Sequence, residues 1–148
     1  MWPLIIPFLA LILFFGIWNI RSKQQWKSPT KNFPENWKRI LEKFVAFYNA
    51  ISPDEKVTFE YKIQEFLLNC RITGISTSID DTDRLLVASS AIIPIFQFKE
   101  WRYNNITEVL IYPDTFNQNF ETEGQGRQIL GMVGTGYMNG KMIISKNA

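Results

Sequence analysis

Residues Trp2 to Ile20 carry no ionisable side chain, and a helix of that length, rising ~1.5 Å per residue, approaches the ~30 Å hydrocarbon core of a bilayer. The run predicts a transmembrane helix. Arg21, Lys23, Lys27 and Lys31 follow it, and no Lys or Arg precedes it. Basic residues close to the end of a span stay on the cytoplasmic side, so the N-terminus is expected outside and the remainder in the cytoplasm. Trp2 and Trp18 stand at the two ends of the run, at the headgroup level that aromatic rings favour. A cleaved secretory signal fits less well, because the run lacks a basic n-region, a short apolar core and a small-x-small cleavage site.

Beyond the anchor there is enough chain for one modest domain and too little for two. Cys70 is the single cysteine, which excludes an intramolecular disulfide framework and suits a reducing compartment. It reads as a small buried hydrophobe rather than a reactive thiol. Charge is unevenly spread: residues 21–43 hold seven Lys/Arg against two acids, and residues 44–148 hold nine against twelve. A juxtamembrane basic stretch suits anionic lipid headgroups. Nucleic acid is not an expected partner, since it would call for basic residues interleaved with aromatics on the distal domain, which is mildly acidic.

The organisation expected from pattern is an anchor over 1–22, a polar, basic linker over 23–33 and a domain over 34–148. Trp37, Ile40, Leu41, Phe44, Val45, Tyr48 and Ile51 recur at spacings of three and four, which predicts one helix from Pro34 to near Ile51. Ser52-Pro53-Asp54-Glu55 is a capping-box start for a second helix, with Phe59, Ile63, Phe66, Leu67 and Cys70 on its apolar side and Gly74 at its exit. The two are expected to pack as a helical hairpin. Asp80-Asp81-Thr82-Asp83 opens a third helix that ends near Pro94. Its small centre, Ala88-Ser89-Ser90-Ala91, lets another element approach closely. The acids there read as caps rather than as a Ca²⁺ loop, because Leu85 stands where such a loop needs glycine. Val109-Leu110-Ile111-Tyr112 predicts a buried strand. Asn139-Gly140 predicts a hairpin turn between residues 135–138 and 141–145, with positive φ at both central residues. The fold class expected is α+β: an N-terminal transmembrane helix, a helical hairpin, a third helix and a small, mostly antiparallel sheet. Met142, Ile143 and Ile144 of the last strand are expected to form an uncovered apolar patch.

Six of the eight glycines lie between Gly124 and Gly140, yet they form no phosphate cradle. A Walker A loop would need glycine at Thr135 and Ser or Thr at Met142. The chain has no histidine, which removes His-dependent triads, His-ligated zinc and the commonest neutral-pH base. Carboxylates remain as acid–base candidates, namely Glu100, Glu108, Asp114, Glu121 and Glu123, and no spacing among them marks a site.

Taken in order, Trp37, the Ser52-Pro53-Asp54-Glu55 start, Ala88-x-x-Ala91, Trp101, the Val109-Leu110-Ile111-Tyr112-Pro113 strand and the glycine hairpin ending in Ile143-Ile144-Ser145 resemble a known family. From Pro34 to Ser145 the chain looks like the first half of the zinc-dependent peptidases similar to Mlc titration factor A. In that family the strand matching Met142–Ser145 leads into a helix bearing His-Glu-x-x-His, whose histidines bind zinc and whose glutamate acts as base. Lys146 stands where an aromatic is expected. The resemblance implies a zinc cofactor for the complete family protein. It places no catalytic, cofactor-binding or metal-binding residue in residues 1–148, so the chain is expected to be inactive as given, an N-terminal fragment of a membrane-anchored hydrolase. The other reading is a membrane-tethered module that recruits a regulatory protein. The expected partners are the lipid bilayer and a protein partner or peptide substrate. The expected location is the bacterial inner membrane, single-pass, with the domain cytoplasmic.

Overall fold

The computed structural model describes residues 26–147. Glu35–Phe44 forms α1, Ala46–Ala50 forms α2 and Pro53–Asn69 forms α3, which runs directly into strand β1, Arg71–Gly74. Helix α4, Asp81–Ile92, crosses to β2, Glu108–Tyr112, and the chain then returns through β3, Gly131–Val133, to β4, Lys141–Ser145. The four strands lie in the order β1-β2-β4-β3.

Both predicted caps form. Glu55 N–H donates to Ser52 Oγ at 3.4 Å while Ser52 N–H donates to Glu55 Oε2 at 2.9 Å. At α4, Asp83 N–H donates to Asp80 Oδ1 at 2.9 Å and Asp80 N–H to Asp83 Oδ2 at 3.1 Å. The remaining acid of that cluster, Asp81, accepts from the Trp37 indole at 3.0 Å. These bonds satisfy helix-start donors and put negative charge at the positive end of the helix dipole.

The expected fold class needs correction in several places. No helix among the described residues is long and apolar enough to cross a membrane, and the segment 1–22 that was expected to span lies outside them. The single helix expected over 34–51 is broken at Val45, whose backbone is extended at φ −114°, ψ 94°. The break rotates the second piece, so Phe47 rather than Phe44 turns inward: Phe44 is 50% exposed, whereas Phe47 meets the rings of Phe59 and Phe96, each at 5.4 Å. The first two helices do not close a hairpin along α1, because α1 and α3 both pack on α4.

The sheet is mixed rather than mostly antiparallel. β1, β2 and β4 are mutually parallel and only β3 runs against its neighbour. β1, which sequence reasoning missed, is the cause: it precedes α4, so the helix becomes the crossover that a parallel pair requires. The hairpin at the end of the chain exists, but its first strand is Gly131–Val133 and residues 136–138 form a 3₁₀ turn. Asn139 has φ −56° and Gly140 +82°, the type II pattern in which only the second central residue is left-handed.

Alternation along the strands divides the core in two. Ile72, Val109 and Ile111 face the helices, and Met142 and Ile144 pack at the margin of that cluster. Leu110 and Ile143 face the other way, where Phe116, 0% exposed, covers them. Phe116 is held there by reciprocal backbone bonds to Ile129 at 3.0 and 3.1 Å. Ile143 is therefore buried and does not belong to the expected apolar patch; Met142 and Ile144 remain partly open.

Candidate functional site

The helices cover the β1–β2 half of their face of the sheet and stop short of β4. This leaves a groove of about 490 Å³. Its floor is Val109 and Ile111 from β2 with Met142 and Ile144 from β4, which the parallel register places side by side as Val109↔Met142 and Ile111↔Ile144. One wall is α4, where Ser90 and Ala91 line the groove while Ala88 and Ser89, buried at 0% and 2%, turn to the core.

Polar groups lie at the two ends. Lys146 Nζ donates to Asp83 Oδ2 at 2.9 Å and to Ser78 O at 3.0 Å, tying the end of β4 to the start of α4. Lys146, expected to be an aromatic, acts instead as this tie. Tyr103 Oη donates to Ala91 O at 2.8 Å near the other end. Between these ends the surface is mainly apolar, and α4 beside it sets a straight wall.

The sequence profile of the glucose-regulated metallo-peptidase M90 family matches residues 18–148. The chain belongs to this family. The resemblance read from the motif order is thereby established at family level. The chain is also 28% identical over 125 residues to the uncharacterized protein slr2042 of Synechocystis sp., an alignment that covers 83% of this chain and 44% of that protein. It thus spans less than half the length of this relative. No solved structure matches.

An M90 metallopeptidase implies a metal, typically zinc, and the residues described here do not fit one. Among the described residues no three His, Cys, Asp or Glu side chains gather where an ion could be held. The single thiol, Cys70, is 2% exposed, and burial pushes its pKa up to about 11, which keeps it protonated and unsuited to metal or nucleophilic duty.

The five carboxylates singled out from the sequence are scattered. Glu108 is buried on the sheet face away from the groove, accepting from Arg71 Nε and Thr73 Oγ1 at 2.9 Å each, with Lys141 Nζ at 3.3 Å. Burial alone would raise its pKa, but these donors and the Arg71 charge hold it below the usual range. Asp114 accepts from Thr115 N–H at 2.7 Å, and Glu121 from Asn117 Nδ2 at 2.7 Å. Glu100 and Glu123 are exposed. What sequence reasoning missed is the groove as a single object. Its only linear signals are the small residues of α4 and the alternation of β4, and neither reveals that β4 lies next to β2.

Proposed function

We propose that this chain is the non-catalytic N-terminal part of a membrane-attached, zinc-dependent peptidase of the Mlc titration factor A type, acting on a peptide substrate. The open groove carries the reading. A parallel sheet is ordinarily covered on both faces, and here Val109 and Ile111 on β2 are covered by the helices while Met142 and Ile144 on β4 are only partly covered. A helix connected to the end of β4 fits the uncovered part, and in the peptidases that the motif order resembles the segment after this strand is the helix bearing His-Glu-x-x-His. The zinc ligands and the general base then belong to that helix, and residues 26–147 supply the scaffold that positions it. Attachment at the cytoplasmic face of a bacterial inner membrane is part of the proposal, supported by the basic residues Arg21, Lys23, Lys27 and Lys31.

Reading the nucleotides downstream of the Ala148 codon tests this directly. An open frame with His-Glu-x-x-His a short way on is the expected result; a stop codon with no such motif refutes it. The joined polypeptide should bind zinc and cleave peptides, and Ser90→Leu, which narrows the groove, should reduce both.

The second reading is a protein-binding module, and the same groove favours it. Its apolar floor and its Asp83–Lys146 rim also suit an amphipathic helix offered by a separate regulatory protein.

A further inference from the structure

On the side of the domain where the described chain begins lies a second, larger cavity of about 890 Å³, within the ~300–1,000 Å³ typical of small-ligand sites. Its rim gathers four cations from distant parts of the sequence: Lys27 and Lys31 ahead of α1, Arg71 on β1 and Arg84 on α4. Against them stands one carboxylate, Glu108. Among the described residues, Lys27, Lys31 and Arg84 have no acidic partner within 4.0 Å.

Two features show that this is a built arrangement rather than a stray cluster. Of the three Arg71 nitrogens Glu108 engages only Nε, at 2.9 Å, and the Arg71 side chain is 75% exposed. The carboxylate therefore fixes the guanidinium plane and leaves its outer N–H fork free, which is how an arginine is prepared for a bidentate oxyanion. The backbone at Lys27 is anchored too, since its N–H donates to Asn69 Oδ1 and its carbonyl accepts from Asn69 Nδ2, both at 2.8 Å. A further bond, Gln64 Nε2 to Asn32 O at 3.3 Å, lays residues 27–32 along α3. Trp37, Leu67 and Ile72 supply an apolar wall beside the cations.

We propose that this cavity is a phosphate-binding site, with the Arg71 fork and Lys27, Lys31 and Arg84 receiving the oxygens. The ligand is a phosphate ester that also carries an apolar or glycerol-like part suited to the wall. Two sources offer that chemistry, an anionic phospholipid headgroup and a soluble phosphate compound. The site stands on the cavity alone and is independent of the peptidase reading.

The test is isothermal titration of the full chain, held in a neutral detergent, with inorganic phosphate and separately with dihexanoylphosphatidylglycerol. Saturable one-to-one binding of at least one of them is expected. Saturation by the lipid alone assigns a headgroup site, and equal saturation by inorganic phosphate assigns a soluble ligand; both support the proposal. Lys31→Ala combined with Arg84→Ala should weaken binding by about tenfold or more, as loss of charge-assisted bonds does, and Lys99→Ala, at an exposed lysine that does not line the cavity, should leave it unchanged. Arg71→Lys keeps the charge but loses the fork, so it should also weaken binding while the circular dichroism spectrum is retained. The proposal is overturned if neither probe saturates, or if the Lys31/Arg84 double variant binds as the parent does.

Discussion

Two substitutions two residues apart on α4 distinguish an open groove from a packed core. Ala88 and Ser90 are separated by about 200° around a helix; Ala88 is 0% exposed in the core and Ser90 lines the groove. Ala88→Leu forces three extra carbon atoms into a space already filled by neighbouring side chains. Overpacking of that kind costs about 1–3 kcal/mol, and leucine is at best equal to alanine as a helix former. With a urea slope of about 1–3 kcal/mol/M for a domain of this size, the unfolding midpoint should fall by roughly 1 M. Ser90→Leu places the same side chain into a groove of about 490 Å³. Leucine exceeds serine in helix propensity by a few tenths of a kcal/mol, so stability should stay the same or rise by up to about 0.5 kcal/mol, and the midpoint should not fall. Urea unfolding of the full chain in neutral detergent, followed at 222 nm, reads both. A fall for Ser90→Leu as large as that for Ala88→Leu would show that the groove is not open space, and the proposed helix would then have nowhere to dock.

Other expectations follow from buried and capping polar groups. The Ser89 hydroxyl is buried and has no hydrogen-bond partner, so Ser89→Ala should raise stability by about 1 kcal/mol in the same assay; a loss would mean that the hydroxyl has a partner. Ser52→Ala removes the cap at the start of α3 and should cost about 1 kcal/mol. The Glu55 carboxyl is held below its ordinary pKa chiefly by the Ser52 backbone N–H. Its contribution is therefore present above the unfolded-state pKa and lost as pH falls through the folded one, and in Ser52→Ala this acid-dependent loss should shrink only by the part that the Ser52 hydroxyl, which also donates to Glu55 Oε2, supplies. Glu108 behaves with the same sign because its folded pKa is also depressed. The stability it contributes is complete above about pH 4.3 and disappears on further acidification. Glu108→Gln should flatten that part of an acid titration of stability, and an unchanged slope would remove Glu108 from the account.

Much of the local structure is determined by the sequence alone because its causes lie within a few residues. The Ser52/Glu55 and Asp80/Asp83 boxes follow from side chains three positions from their partners. The β2 strand follows from an unbroken apolar run. The absence of histidine settles that no His-Glu-x-x-His site stands within residues 1–148. Family membership was legible too, since it rests on the order of such local motifs. Everything that depends on which elements become neighbours had to come from the tertiary structure. The kink at Val45 exchanges Phe44 for Phe47 through packing against Phe59 and Phe96, which no periodicity encodes. Residues 71–74 are too short to announce a strand, yet their pairing with β2 makes the sheet parallel and turns α4 into a crossover. The groove exists because β4 pairs with β2 across a separation of about thirty residues, and the cationic cavity because residues 27–32, β1 and α4 meet at one end. Contacts between distant parts of the chain are set by the burial of the whole apolar surface at once, and a reading of local pattern has no access to that global condition.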